Sequence, residues 1–150
     1  MSSVYVRDQI KTHITANLPA ETLIDLTAQF AEIKELVEDA GITGNDPWMG
    51  IEFVGDDEVP ITIPATNDAG KYRESGAVFI HIVDIAKLGA GDALLQRGEA
   101  VRNLFRGKRI GDILIESVTP VNFGAGSTLQ FDGGYMSGSI SMSYQRDLDI

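Results

Sequence analysis

The side chains able to do acid–base, nucleophilic or metal chemistry are few and scattered along the chain. His13 and His81 are the two imidazoles, and there is no cysteine, which removes thiolate ligands and thiol nucleophiles together. A zinc site would then need carboxylates to complete three or four ligands around one histidine, and neither histidine has such partners at a ligand spacing. His13 flanks an apolar stripe of helical period. His81 lies in an apolar run of strand character, on the opposite side from Ile80 and Ile82. Both read as structural histidines. Gly126-Ser127 and Ser137-Gly138-Ser139 lack the strained Gly-x-Ser-x-Gly elbow that exposes a nucleophilic serine.

Two further segments have a ligand-binding appearance. Gly89-Ala90-Gly91 follows a strong strand pattern and precedes a helix, like the start of a dinucleotide-binding turn whose backbone amides hold a pyrophosphate. Leu94 stands where the third glycine is required, and no Gly-Lys-Ser/Thr ending is present, so a tight turn is the better reading. A small nucleotide- or metabolite-binding protein using the Gly89 to Asp92 turn is the alternative from a different functional class. Asp56-Asp57-Glu58 lacks the alternating ligands of a calcium loop and reads as a solvated acidic turn. The sequence therefore predicts no catalytic residue, no cofactor and no metal, and hence a protein that is not an enzyme.

The elements that would position any site belong to a chain of 150 residues with 43% apolar and 23% charged residues, the balance of one folded domain. The N-terminal residues show no basic segment followed by an apolar run, and no stretch has the length and apolarity to cross a bilayer; a soluble protein without membrane contact is expected. The formal net charge of -10 opposes general attraction to phosphate backbones. Much of the scarce positive charge is gathered at Arg73, next to Glu74, and at Arg102, Arg106, Lys108 and Arg109 around a predicted helix C-terminus. One reading is a helix-dipole partner plus solvated charge. The other is a patch that meets an acidic patch on an identical neighbour.

Val6, Ile10 and Ile14 recur every fourth residue and predict a short helix from Ser3, ended by Pro19. Residues 22–27 predict a short strand, and Leu26, Phe30, Ile33 and Val37 a helix running to Ala40-Gly41. After a loop at Gly41 to Pro47, residues 48–54 read as a strand, Gly55 to Glu58 as a hairpin turn, and residues 59–63 as a second strand that Pro60 and Pro64 place at an edge or an opening. Residues 77–83 form the strongest strand pattern and belong in mid-sheet. Ala90, Leu94, Gly98, Val101 and Phe105 share one face of a helix whose Gly98 must closely approach the sheet, and Gly107 stops it. Residues 113–118 and 138–144 supply two more strands, separated by glycine-rich loops between Phe123 and Tyr135. The expected fold is α+β: a mixed, largely antiparallel sheet with two or three helices packed on it, in a single domain.

Trp48-Met49-Gly50-Ile51-Glu52-Phe53-Val54-Gly55, then Tyr72-Arg73-Glu74-Ser75-Gly76 and the strand with His81, resemble the tail-terminator (tail-completion) proteins of long-tailed bacteriophages. Leu104-Phe105-Arg106-Gly107, Gly124-Ala125-Gly126 and Gly134-Tyr135 continue the resemblance over most of the chain. It implies a structural virion protein that forms a ring, typically a hexamer, on the head-proximal end of the tail tube, ends tube polymerisation and offers a head-joining surface. The implied partners are other copies of the chain, the tail-tube protein and a head-completion or connector protein. DNA would pass through an acidic bore without specific binding, and the protein would be assembled in the host cytoplasm. Another head-tail joining or minor tail role is the nearest alternative. Candidate subunit or partner contacts are Arg73, Glu74, Arg102, Arg106, Arg109, Phe123 and Tyr135.

Overall fold

The computed structural model describes residues 3–27, 33–42, 46–60, 71–85, 90–123 and 135–149. The first apolar stripe becomes helix α1 (Val4–Asn17), in which Val6, Ile10 and Ile14 are fully buried. Burial of each such side chain contributes roughly 1.5–3 kcal/mol, far more than the intrinsic preference of a short helix, so docking is what makes α1 a helix. Ser3 caps it, its hydroxyl accepting from the Val6 N–H.

The chain continues through β1 (Leu23–Asp25), α2 (Ile33–Asp39), β2 (Trp48–Pro60), β3 (Lys71–Ile85), α3 (Ala90–Phe105), β4 (Arg109–Ile110), β5 (Ile113–Val118), β6 (Asn122–Phe123) and β7 (Tyr135–Asp149). One sheet holds all seven strands in the order β1-β2-β3-β7-β5-β4, with β6 also paired to β7. Among the described residues only β1 with β2 is parallel, and the other five pairings are antiparallel. The α+β expectation holds, with three helices, and β3 lies between β2 and β7 as its near-continuous apolar run requires.

Alternation along the strands sends Met49, Ile51, Val78, Ile80, Ile82, Ile140 and Met142 to the face covered by α1 and α3. The opposite parity carries Trp48 and Val83 into a smaller cluster with Ile24 and Ile42, against Leu36 and Val37 of α2. The α3 stripe is seated as its spacing predicts, with Leu94, Val101 and Phe105 fully buried. At Gly98 an added Cβ would collide with Val121 and come within 3.3 Å of Ile82 Cδ1, so glycine is what lets the helix lie this close to the sheet. Gly107 ends the helix in the left-handed region at φ 70°.

The expected hairpin at Gly55 to Glu58 is not formed. β2 passes straight through these residues and stays paired with β3 as far as Pro60↔Tyr72, the turn-forming residues being absorbed as a register irregularity between Gly55 and Asp57. A partner strand of 15 residues offers backbone hydrogen bonds to every residue that remains extended, and an irregularity accommodates one residue out of phase without reversing the chain. Gly76 at that level also makes room for Tyr144, whose hydroxyl lies 2.7 Å from where a Gly76 Cβ would stand. Arg73 and Glu74 are accordingly inside β3, not ahead of it, and β7 is longer than residues 138–144 at both ends. Residues 61–63, Phe30 and the glycine-rich segment 124–134 lie outside the described residues.

Candidate functional site

The register gathers part of the expected interface at one end of the sheet. Arg109 pairs with Leu114, Leu114 with Gln145, Gln145 with Ser75, and Ser75 with Asp57, so a single crosswise row runs from β4 to β2. The adjoining row runs Ile110, Ile113, Arg146, Glu74, Glu58. Arg73 stands one step further along β3, opposite Asp147. Arg106 and Lys108 lead directly into β4 from the end of α3. Phe123 and Tyr135 belong to the opposite end, where Phe123 pairs with Gly138 and Tyr135 with Ile85. At about 3.3 Å per residue, Arg146 and Tyr135 are separated by roughly 36 Å along β7.

The candidate residues have different local roles. Arg73 makes a two-pronged ion pair with Asp147 at 2.8 and 3.2 Å, and both side chains are about half exposed, so solvent screening leaves the pair little to contribute. Glu74 is 9% exposed and faces inward: its carboxylate accepts the Ser3 N–H at 2.9 Å and lies 4.0 Å from Arg146. Arg146 is held over the Tyr5 ring, 3.9 Å from its centroid, and donates to Asp112 at 3.1 Å. Glu74 thus fastens the start of α1 to the sheet. Arg102 donates to Glu99 at 2.6 Å with little of its side chain exposed. Arg106 reaches only Asn103, and Lys108 and Arg109 are exposed with no ion pair among the described residues.

Two polar constellations were not visible in the sequence. Arg97 of α3 clasps Glu21 with both prongs, at 2.9 and 2.7 Å, and donates to the carbonyls of Val83 and Trp48. It thereby joins α3, the turn after α1 and the ends of β2 and β3. On the sheet face away from α1 and α3, His81 is fully buried between Ser139, 2.7 Å from Nδ1, and Glu52, 2.7 Å from Nε2. A carboxylate only accepts, so Nε2–H donates to Glu52 and Nδ1 accepts from the Ser139 hydroxyl. Burial pushes the imidazole below its usual value, and the Glu52 contact offsets only part of that.

Hydroxyl, imidazole and carboxylate stand in the order of a hydrolytic triad, but the exposure is reversed. Ser139 is 5% exposed in the middle of a regular strand, whereas the Glu52 side chain is 37% exposed. A nucleophile must meet its substrate, so this arrangement suits a polar bolt across β2, β3 and β7. His13 is also structural: its Nε2 donates to the Leu104 carbonyl at 3.1 Å, satisfying the last turn of α3, and its ring packs on Phe105. Asp25 gathers Arg7 at 2.7 Å and Lys11 at 3.1 Å. Burial would raise its carboxyl, but Arg7, Thr27 and Lys11 outweigh that and hold it below the usual carboxylate range.

Of the Gly89 to Asp92 turn, Ala90, Gly91 and Asp92 open α3 and Gly89 lies outside the described residues. An aspartate in the first helical turn already complements the dipole that a phosphate would use. No group of three or more potential metal ligands occurs among the described residues, and none of their helices is long and apolar enough to cross a membrane.

No protein-family model matches the chain, and no curated protein matches it. Among solved structures 25 chains match. One, labelled only with a sequence identifier, is 18% identical, is aligned over 93% of this chain and 94% of its own, and has a TM-score of 0.49.

Proposed function

We propose that the chain is a structural, non-enzymatic virion subunit of the tail-terminator kind, forming a ring on the head-proximal end of a long-tailed phage's tail tube. The motifs of β2, β3, the end of α3 and the start of β7 supply the resemblance. The observation that carries the reading is the division of the candidate contacts between opposite ends of one sheet, Arg73 at one and Phe123 and Tyr135 at the other, with Arg109 set apart on the β4 edge. A subunit that stops a tube and receives a head needs two separate contact surfaces on one rigid body, with its flanks left for its own copies. The tube protein is one partner and a head-completion or connector protein the other, while DNA passes through without specific binding.

The test is tube growth in vitro. Purified chain added to polymerising tube protein is expected to stop elongation and to appear by negative-stain microscopy as a cap on one tube end. Tubes that lengthen unchanged, with no chain at their ends, refute the reading. Capture of a connector protein without any effect on tubes points instead to another head-tail joining role.

A further inference from the structure

Charge is distributed unevenly along the crosswise rows. Their interior positions are compensated within the chain: Glu74 stands opposite Arg146, Arg146 reaches Asp112, and Arg73 stands opposite Asp147. Among the described side chains, Glu58 at one end and Arg109 at the other are not. At the β2 edge the row begins in the segment Asp56-Asp57-Glu58, and Glu58 is exposed with no ion pair among the described residues. At the β4 edge the row ends in Arg109, exposed next to Lys108 and one turn from Arg106. Four strand spacings of about 4.8 Å place these edges roughly 19 Å apart. That exceeds the Debye length of about 8 Å at physiological salt, so the two edges cannot neutralise each other within one molecule.

Both edges are open among the described residues. β1 covers β2 only at Met49 to Ile51, and β4 is two residues long with no strand beyond it. Charges at open edges commonly serve to keep sheets from sticking together. That purpose is met best by charge of one sign, since like edges repel. Here the signs are opposite, on a protein of net charge -10 in which cations are scarce. The Gly55/Asp57 irregularity and Pro60 also interrupt β2 as a template for backbone pairing, which leaves side-chain charge as the means of contact.

We propose that the acidic β2 edge of one copy docks on the basic β4 edge of the next, a head-to-tail contact between unlike surfaces of the same chain. Such contacts are heterologous, so each copy keeps one edge of each sign available, and the series ends only by closing on itself. The proposal rests on the ring reading and names the surfaces by which the subunits of the ring meet.

Charge reversal tests it. The variants are Asp57→Lys/Glu58→Lys and Lys108→Glu/Arg109→Glu, with single Glu58→Lys and Arg109→Glu as lighter versions should either pair disturb folding as judged by circular dichroism. Light scattering at low salt is expected to show association of the wild-type chain that weakens roughly tenfold or more with added salt. Each reversed variant should associate at least about tenfold more weakly, because it presents two edges of one sign. An equimolar mixture of the two variants should associate again, since each then offers the edge the other needs. A wild-type chain that stays monomeric at low salt, reversals without effect, or a mixture that fails to recover overturns the edge contact. Tube capping is measured in parallel. Capping by the wild type with insensitive reversals removes the edge contact and leaves the ring reading standing; mixture rescue without capping does the opposite.

Discussion

The same substitution made at two glycines of one helix should have opposite effects. Replacing glycine by alanine in a helix gains up to about 1 kcal/mol by restricting the unfolded chain and favouring helical backbone. At Gly91 nothing lies within 4 Å of the added Cβ, so the gain is kept, reduced because the site is in the first turn; Gly91→Ala should raise stability by about 0.5 kcal/mol. At Gly98 the Cβ meets Val121 and stands 3.3 Å from Ile82 Cδ1. Val121 is β-branched and stiff about its first torsion, and Ile82 is fully buried in the core, so neither yields freely. Overpacking of this kind costs about 1–3 kcal/mol, which exceeds the propensity gain. Gly98→Ala should therefore lose about 1–2 kcal/mol, a fall in Tm of roughly 3–6 °C for a chain of this length. Differential scanning calorimetry of both variants measures the signs. Adding Val121→Ala to Gly98→Ala should recover stability relative to the sum of the single changes, by about 1 kcal/mol of coupling. A Gly98→Ala protein as stable as Gly91→Ala would refute the close seating of α3 on the sheet.

Arg97→Met keeps the aliphatic stem but leaves Glu21 and the Val83 and Trp48 carbonyls without their donor, and should cost about 3–5 kcal/mol, lowering Tm by roughly 10 °C; Glu21→Gln added to it should cost much less than it does alone. For His81, burial depresses the folded pKa below 6.5, so the unfolded chain takes up a proton first and stability is complete above about pH 6.5 and declines as pH falls below it. His81→Gln should flatten Tm between about pH 7 and pH 5.5, and an unchanged slope in that variant would assign the dependence to another group.

The helices were legible because their burial is periodic. Val6, Ile10 and Ile14, and likewise Leu94, Gly98, Val101 and Phe105, needed only their spacing to be placed on a core face, and Gly98 carried its own message as a missing side chain in that stripe. β2 was misread because Gly55, Asp56 and Asp57 have turn chemistry, while their real conformation is set by a partner strand lying beyond them in sequence. The bolt of Glu52, His81 and Ser139 was invisible for a related reason. Its members come from three strands and meet only once register is fixed, and alternation shows which face a residue takes but not what stands opposite. Glu74 illustrates the limit for charge. Beside Arg73 it reads as solvated, yet one step of alternation sends it inward to the Ser3 amide, 71 residues away. Arg97 lies on the intermediate flank of α3, where hydrophobic periodicity gives no signal.

Helix α1 is joined to the same rows whose ends carry the opposite charges. Ser3 donates to Glu74, the Tyr5 ring lies beneath Arg146, and the Tyr5 hydroxyl bonds Asp112 in the turn between β4 and β5. Its further turns are tied to β1 through Asp25 and to the end of α3 through His13. A two-residue strand such as β4 would be weakly held by its own backbone bonds, and here Asp112 links its turn to α1 and to β7. The basic edge is thus fixed relative to the centre of the sheet by side chains from two other elements, Tyr5 of α1 and Arg146 of β7. For a contact that relies on a few exposed charges this matters, since surface pairs return little once the loss of side-chain and loop freedom is deducted. With its backbone already fixed, the edge has less left to order on docking. On this view the polar residues of α1 belong to the assembly surface although none of them need touch a neighbour, and loosening Tyr5 or Ser3 should weaken association through β4 before it unfolds the domain.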